Sequence, residues 1–280
     1  MSFNLAVSEP SKARAFSAIF QNMKNFCDHV NIVFEKERAY AQGMDNSHIS
    51  IFELFIPASW FDSYNHPDDD NIVVGINVGL FYKILNTRDE GQEIFIKYDP
   101  EKQDKLYLHF ITSTPGTKPL FDKHFELPLI EIETEMMSIP DVEYAAEFSL
   151  SASNFAGIVG QLKQFGADML IKCNEQEIRL TAKSTDTGNM SVVVPIDDLS
   201  LFAINEGETL NLSFSLSHLH NICSFHKVSD SVNLKISDNY PLKATYLLEK
   251  VGDDEDDISG KARIVVFLAP RISDDDDNDM

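Results

Sequence analysis

The sequence predicts an α+β chain of two similar domains, each with helices on one face of antiparallel sheets. Three observations carry this reading. Two pairs of helical windows repeat at a nearly constant spacing, and the text between them breaks into short strand-like pieces. Acidic residues, abundant elsewhere, are missing from every helical window.

In chain order, "SKARAFSAIFQNMK" at 11–24 places Phe16, Ile19, Phe20 and Met23 at i, i+3, i+4 and i+7, one apolar stripe on a helix. "HISIFELFI" (48–56) runs apolar in short alternation and predicts a strand. A second helix falls at 77–88, followed by strands at "EIFIKY" (93–98) and "LYLHFI" (106–111). "FELPLIEIETEMMSIPDVEY" (125–144) has two prolines and no glycine, which predicts an extended surface connector. "SNFAGIVGQLKQF" (153–165) then repeats the first stripe with Phe155, Ile158, Val159 and Leu162, and 155 − 16, 158 − 19 and 162 − 23 all equal 139. "EIRLTA" (177–182) and "MSVVVPI" (190–196) predict strands. The fourth helix window, 215–227, aligns with the second: 222 − 84 and 232 − 94 both equal 138. "ATYLLEK" (244–250) and "VVFLAPRI" (265–272) are the last strands, ahead of "SDDDDNDM". Matched elements in one order at one offset identify two copies of a unit. The expected boundaries are 1–125, a connector at 126–143, 144–272, and a disordered acidic tail at 273–280. Loops are expected at 65–71 and 250–261.

Forty-five acids stand against 23 basic residues, a formal net charge of −22. An even scatter would put about eight acids in the four windows, since Glu is well tolerated in helices; there are none. The windows do carry Lys12, Arg14, Lys24, Lys83, Arg88, Lys163 and Lys227. A neutral face packed on another domain would explain small residues such as Gly157 and Gly160, but not repeated lysines on the outward stripe. The alternative is a thin positive lane for a polyanion, suited to loose backbone contact rather than base reading.

No stretch reaches the roughly 18 apolar residues of a membrane span, and the N-terminus lacks the apolar core of a secretory signal. Cys27, Cys173 and Cys223 have no paired spacing, which suits a reducing interior. Enzyme readings find little support. In "HLHNICSFH", His218, His220, Cys223 and His226 scatter around a helix that turns about 100° per residue, so they do not converge on a metal. The runs Asp68–Asp70 and Asp253–Asp257 would serve a metal-dependent nuclease only with partners to fix them, and polar loops read as solvated charge. No phosphate-binding loop, nucleophile elbow or zinc-protease motif occurs, and no cofactor is expected.

Four motifs carry a resemblance. "MDNSHISIFEL" resembles the M-D-S-S-H-V-x-L signature of the proliferating cell nuclear antigen family, the eukaryotic and archaeal sliding clamps. "VVFLAPRI" is similar to that family's Y-Y-L-A-P-K-I, "SIPDVEY" to its G-I-P-E-Q-E-Y, and "VGINVGLFYKIL" to its M-G-V-N-L-x-x-M-x-K-I-L. The likeness runs from residue 3 to 273. It implies the DNA clamp fold: a ring of three identical chains, helices lining the hole and sheets outside, with no catalysis. By this likeness Lys12, Arg14, Lys83 and Lys163 would face double-stranded DNA without sequence preference. Asn86, Gly160 and Ser224 stand where the family has basic residues, so contact would be weaker, or supplied partly by Lys24, Arg88 and Lys227.

The same likeness assigns a partner-peptide groove to Met44, His48, Ile49, Ile51, Met137, Ile139, Pro140, Pro241, Phe267, Ala269, Pro270 and Ile272. Its occupants would be short motifs of polymerases, nucleases and ligases, alongside a clamp loader. On this reading "LAPRI" is an exposed apolar rim on a strand with a free edge. The strands 106–113 and 189–196 would be edges pairing between copies. The resemblance implies the nucleus, or the cytoplasmic replication site of a virus, since the acidic loops and sparse lysines suit a viral or divergent member. Within the fold the alternative is a checkpoint-type subunit of a hetero-trimer.

Overall fold

The computed structural model describes residues 2–67, 70–102, 104–112, 121–133, 136–238, 240–249 and 258–271. Asp68, Asp69, Asp253–Asp257, Ile272 and the acidic tail lie outside the described residues. The chain divides into two compact units, neither contiguous: 1–46 with 53–138 and 248–264, and 47–52 with 139–247 and 265–280. Local hydrogen bonds explain the exchanged pieces. The Ala269 amide donates to the Ile49 carbonyl, tying residues near 49 to the second unit, whereas Leu248 N–H to Ala262 O closes a hairpin grouped with the first.

The first unit contains β1 (Phe3–Val7), α1 (Pro10–Met23), β2 (His29–Phe34), β3 (Arg38–Met44), most of β4 (Ser50–Pro57), β5 (Ser63–Asn65), β6 (Ile72–Asn77), α2 (Val78–Leu85), β7 (Glu93–Tyr98), β8 (Lys105–Ile111) and β9 (Lys123–Pro128). Its strands follow two runs, β5-β1-β7-β8-β9 and β4-β3-β2-β6. The second unit contains β10 (Ala146–Ser151), α3 (Ala152–Leu162), β11 (Asp168–Cys173), β12 (Glu177–Ser184), β13 (Gly188–Pro195), β14 (Leu201–Ile204), β15 (Leu210–Ser215), α4 (Leu216–Cys223), β16 (Ser231–Ser237), β17 (Tyr240–Leu247) and most of β18 (Arg263–Leu268). Its runs are β14-β10-β16-β17-β18 and β13-β12-β11-β15. Adding nine to each label of the first unit reproduces the second, so the duplication read from the helices extends to every described strand.

The helices form where the apolar stripe can be covered. Pro10 opens α1 at a position whose N–H has no intrahelical partner. Asn77 caps α2 by accepting the Leu80 amide at 2.8 Å, and Ser151 caps α3 by accepting from Asn154. Phe16, Ile19, Phe20 and Met23 are buried, as are Phe155, Val159 and Leu162, while Ile158 is half-exposed. Phe20 meets Phe81 edge-on with centroids 4.5 Å apart, locking α1 to α2. In the second unit α3 packs on α4, and Leu219, Ile222 and Cys223 are buried as one stripe.

Two edge expectations need correction. Segment 106–113 was expected to offer an edge, yet β8 pairs with β7 through Glu93–Ile111 and with β9 through Lys105–Pro128. The edge of that run is β9, because residues 123–128 continue the pairing past the expected boundary at 125. β13, within the expected 189–196, does end its run. Nor has β18 a free edge, since β17 flanks it on one side and the start of β4 on the other. Val265–Leu268 are buried, so apolar exposure begins only at Ala269.

The connector is tied to the first unit by backbone groups. Ile130 N–H donates to Gly75 O at 2.9 Å and Asn31 Nδ2 donates to Ile132 O at 3.0 Å. A Cβ on Gly75 would overlap the Ile130 carbonyl oxygen, so only glycine permits this approach. Gly75→Ala is therefore expected to cost about 1–3 kcal/mol by overpacking, read as a lower urea midpoint; an unchanged midpoint refutes the strap. Burial raises the thiols of Cys27 and Cys223 to about 12 and Cys173 to about 11. All three should resist a disulfide reagent at neutral pH in the native protein and react once it is unfolded.

Candidate DNA-facing helices and peptide groove

Each helix pair buries one side and leaves an acid-free side in solvent. In the first unit, Arg14, Lys24, Lys83 and Asn86 are exposed. Lys83 lies in the last turn of α2, where a positive charge complements the helix dipole. The Lys24 ammonium sits 4.7 Å from the centre of the Tyr82 ring. Arg14 meets Glu90 at 3.1 Å, but both side chains are mostly exposed, so the pair is weak and exchangeable.

Two expected members of the lane are occupied otherwise. Lys12 Nζ donates to the Trp60 carbonyl at 2.7 Å and approaches Glu9, which bends it onto the body of the unit. Arg88 is half-buried, and its Nη1 donates to the carbonyls of Gln92 and Asp89. Burial and the nearby Arg14 both lower its pKa. In the second unit Lys163, His220 and Lys227 are exposed, beside Gly157, Gln161 and Gln164. Gly157 and Gly160 have open space where a Cβ would stand, so their faces are flat. His218 bonds Ser47 and Ser215, His226 bonds the Cys223 carbonyl, and Cys223 is buried. Among the described residues no group of three or more metal-ligating side chains converges.

The residues expected in the groove are found in both units. In the first, Met44 is half-buried at the end of β3. Gln42 clamps the connector: its Nε2 donates to Met137 O at 2.9 Å and its Oε1 accepts the Met137 amide at 2.7 Å. Met136 beside it is 55% exposed. Sequence reasoning missed Gln42, because nothing in "AYAQGM" distinguishes a clamp from any polar strand residue.

In the second unit the strand entry turns its isoleucines outward. Ser50 is 2% exposed and faces inward, whereas Ile49 and Ile51 occupy the half-exposed face. Ser50 shares the inward face with Phe52, Leu54 and Ile56, so the alternation of the strand offers the two isoleucines outward. His48 precedes them with φ 58, the left-handed region that non-glycine residues rarely take and histidine tolerates better than most. Phe267 is buried, with Lys243 Nζ 5.7 Å from its ring centre. Ala269 N–H donates to Ile49 O and Arg271 N–H to Ser213 O, while Arg271 Nε donates to Asp168 at 3.0 Å. Pro270 lies between these two anchored amides, where the missing N–H leaves no orphan donor. Ile139 is half-exposed, and Pro140 and Pro241 are exposed.

Two family models match the chain. Residues 9–136 match the model of the proliferating cell nuclear antigen N-terminal domain, and 138–255 match that of its C-terminal domain. The chain belongs to the proliferating cell nuclear antigen family. The chain is thus a member of a family of non-enzymatic sliding clamps. Proliferating cell nuclear antigen of Chaetomium thermophilum is 28% identical over 84% of this chain and 86% of its own. Proliferating cell nuclear antigen 2 of Drosophila melanogaster is 27% identical over 84% and 85%. Proliferating cell nuclear antigen 2 of Plasmodium falciparum is 24% identical over 92% and 96%. The crystal structure of the Entamoeba histolytica protein superposes with a TM-score of 0.81 at 22% identity, covering 96% of this chain and 99% of that one.

Replacing Gln42 with Ala leaves the Met137 amide and carbonyl without partners. Local loss of about 1–3 kcal/mol is expected for such orphaned groups. Hydrogen exchange at the Met137 amide should accelerate while β3 itself stays protected, and equal protection in the variant would remove the clamp.

Proposed function

We propose that this protein is a DNA sliding clamp, a processivity factor that encircles duplex DNA and tethers replication and repair enzymes. The observation that carries the reading is an exposed helix face in each unit, cleared of acids in a chain of net charge −22. Exposed lysines on that face reward a phosphate backbone through counterion release, and few contacts suffice when the DNA is held topologically rather than by affinity. Lys24, Lys83, Lys163 and Lys227, with Arg14, are the residues assigned to DNA. Lys12 and Arg88 join the lane only by giving up their carbonyl partners. A clamp loader would place the ring on DNA, and the nucleus, or the replication site of a virus, is where it would act.

The second part of the proposal is an apolar docking groove for peptides of polymerases, nucleases and ligases. It is supported by the outward pair Ile49 and Ile51, by Ile139, and by the anchored Ala269–Pro270 step. Met44, Met136 and Met137, in the first unit, are adaptable apolar side chains of the kind that peptide docking uses. For assembly, a homo-trimer closing β9 of one copy on β13 of the next satisfies both edges.

Three measurements test these assignments. Lys83→Glu with Lys163→Glu should weaken retention on primed circular DNA and lower the salt slope by about one per lost contact; an unchanged slope takes those lysines out of the lane. Ile139→Glu with Pro270→Glu should abolish binding of a polymerase-derived peptide without altering native mass. Retained binding would displace the groove. Sedimentation should give three times the 31.6 kDa chain mass, and a monomer at micromolar concentration would refute the homo-trimer.

A further inference from the structure

His109 on β8 and His124 on β9 stand directly opposite in the antiparallel register. Their Nδ1 atoms lie 2.5 Å apart, with ring centroids at 4.7 Å and planes inclined at 64°. His124 is exposed and His109 is half-buried, so the pair sits on the open face of the sheet beside its edge strand. Neither histidine is among the residues assigned above to the helix faces or the groove. We infer that this pair is a chelating site for a transition-metal cation of the zinc, nickel and copper class.

The chemistry follows from the ring nitrogens. With both rings neutral and no metal, one Nδ1 must carry the proton and the other accept it. Moving the donor ring's proton to its Nε2 frees both Nδ1 lone pairs toward one point, with no net proton released. Metal–nitrogen bonds of about 2.0–2.1 Å require the two nitrogens to open to roughly 3 Å, a small swing of exposed rings. Imidazole ligands favour zinc, copper and nickel over magnesium or calcium. Water would complete the coordination; Glu126, two residues along β9 from His124, pairs with Lys105 at 2.7 Å. Bound metal would staple the edge strand β9 to β8, and the site stands whether or not the clamp reading does.

The test is calorimetric titration of Ni²⁺ into the full, tag-free chain at neutral pH, with histidine side-chain NMR in parallel. A single saturable site should be found, with paramagnetic broadening of the His109 and His124 ring signals. His109→Asn and His124→Asn should each lower affinity at least about tenfold, because the second imidazole no longer acts at high effective concentration. His220→Asn should leave it unchanged, and Mg²⁺ should not compete. Thermal melts without metal confirm that the variants fold. Undiminished Ni²⁺ affinity in both single variants, or broadening confined to other histidines, would overturn the inference.

Discussion

Burial of one apolar stripe per helix is the constraint on which the rest depends. Phe16, Phe20 and Phe81 in the first unit, and Phe155, Leu162 and Leu219 in the second, lose nearly all contact with water. Once those stripes are fixed against the sheets, the opposite faces of the helices must be the solvated ones. Their chemistry is then free of packing demands and can be set by a ligand. That both units leave the solvated side without a single carboxylate, in so acidic a chain, is difficult to attribute to stability, which would accept Glu there readily.

Backbone hydrogen bonding governs the regions assigned to the proposed groove more than side-chain packing does. Gly75 and Gln42 hold the connector by its peptide groups, so Met136 and Met137 need not be buried to keep it in place. Ala269 and Arg271 are likewise pinned through their amides, leaving the Pro270 ring unburdened. Anchoring the main chain while freeing the apolar side chains suits the proposed docking surface, because hydrophobic contact would then be saved for a peptide.

The lane is thinner than a count of basic residues implies. Lys12 and Arg88 spend their donors on main-chain carbonyls, and Arg14 has a carboxylate neighbour. A protein that binds DNA by affinity alone could not spare them. In the proposed ring the charge needs only to avoid repulsion, and weak contact favours sliding.

The four helices, the duplication and the missing acids were legible in the chain itself, because a 3.6-residue period and charge segregation are local properties of a one-dimensional text. The helix bounds fell within a few residues of the predicted windows for the same reason. Which strand forms an edge was not legible: "LYLHFI" and "KHFELP" both read as strands, and only hydrogen-bond pairing placed the second outside the first. The same holds for Ser50 turned inward, for Gln42 against Met137, and for His109 against His124. Alternation along a strand says that neighbours face opposite ways; which way is inward, and which residue stands across, depends on partners distant in sequence that only the folded chain supplies.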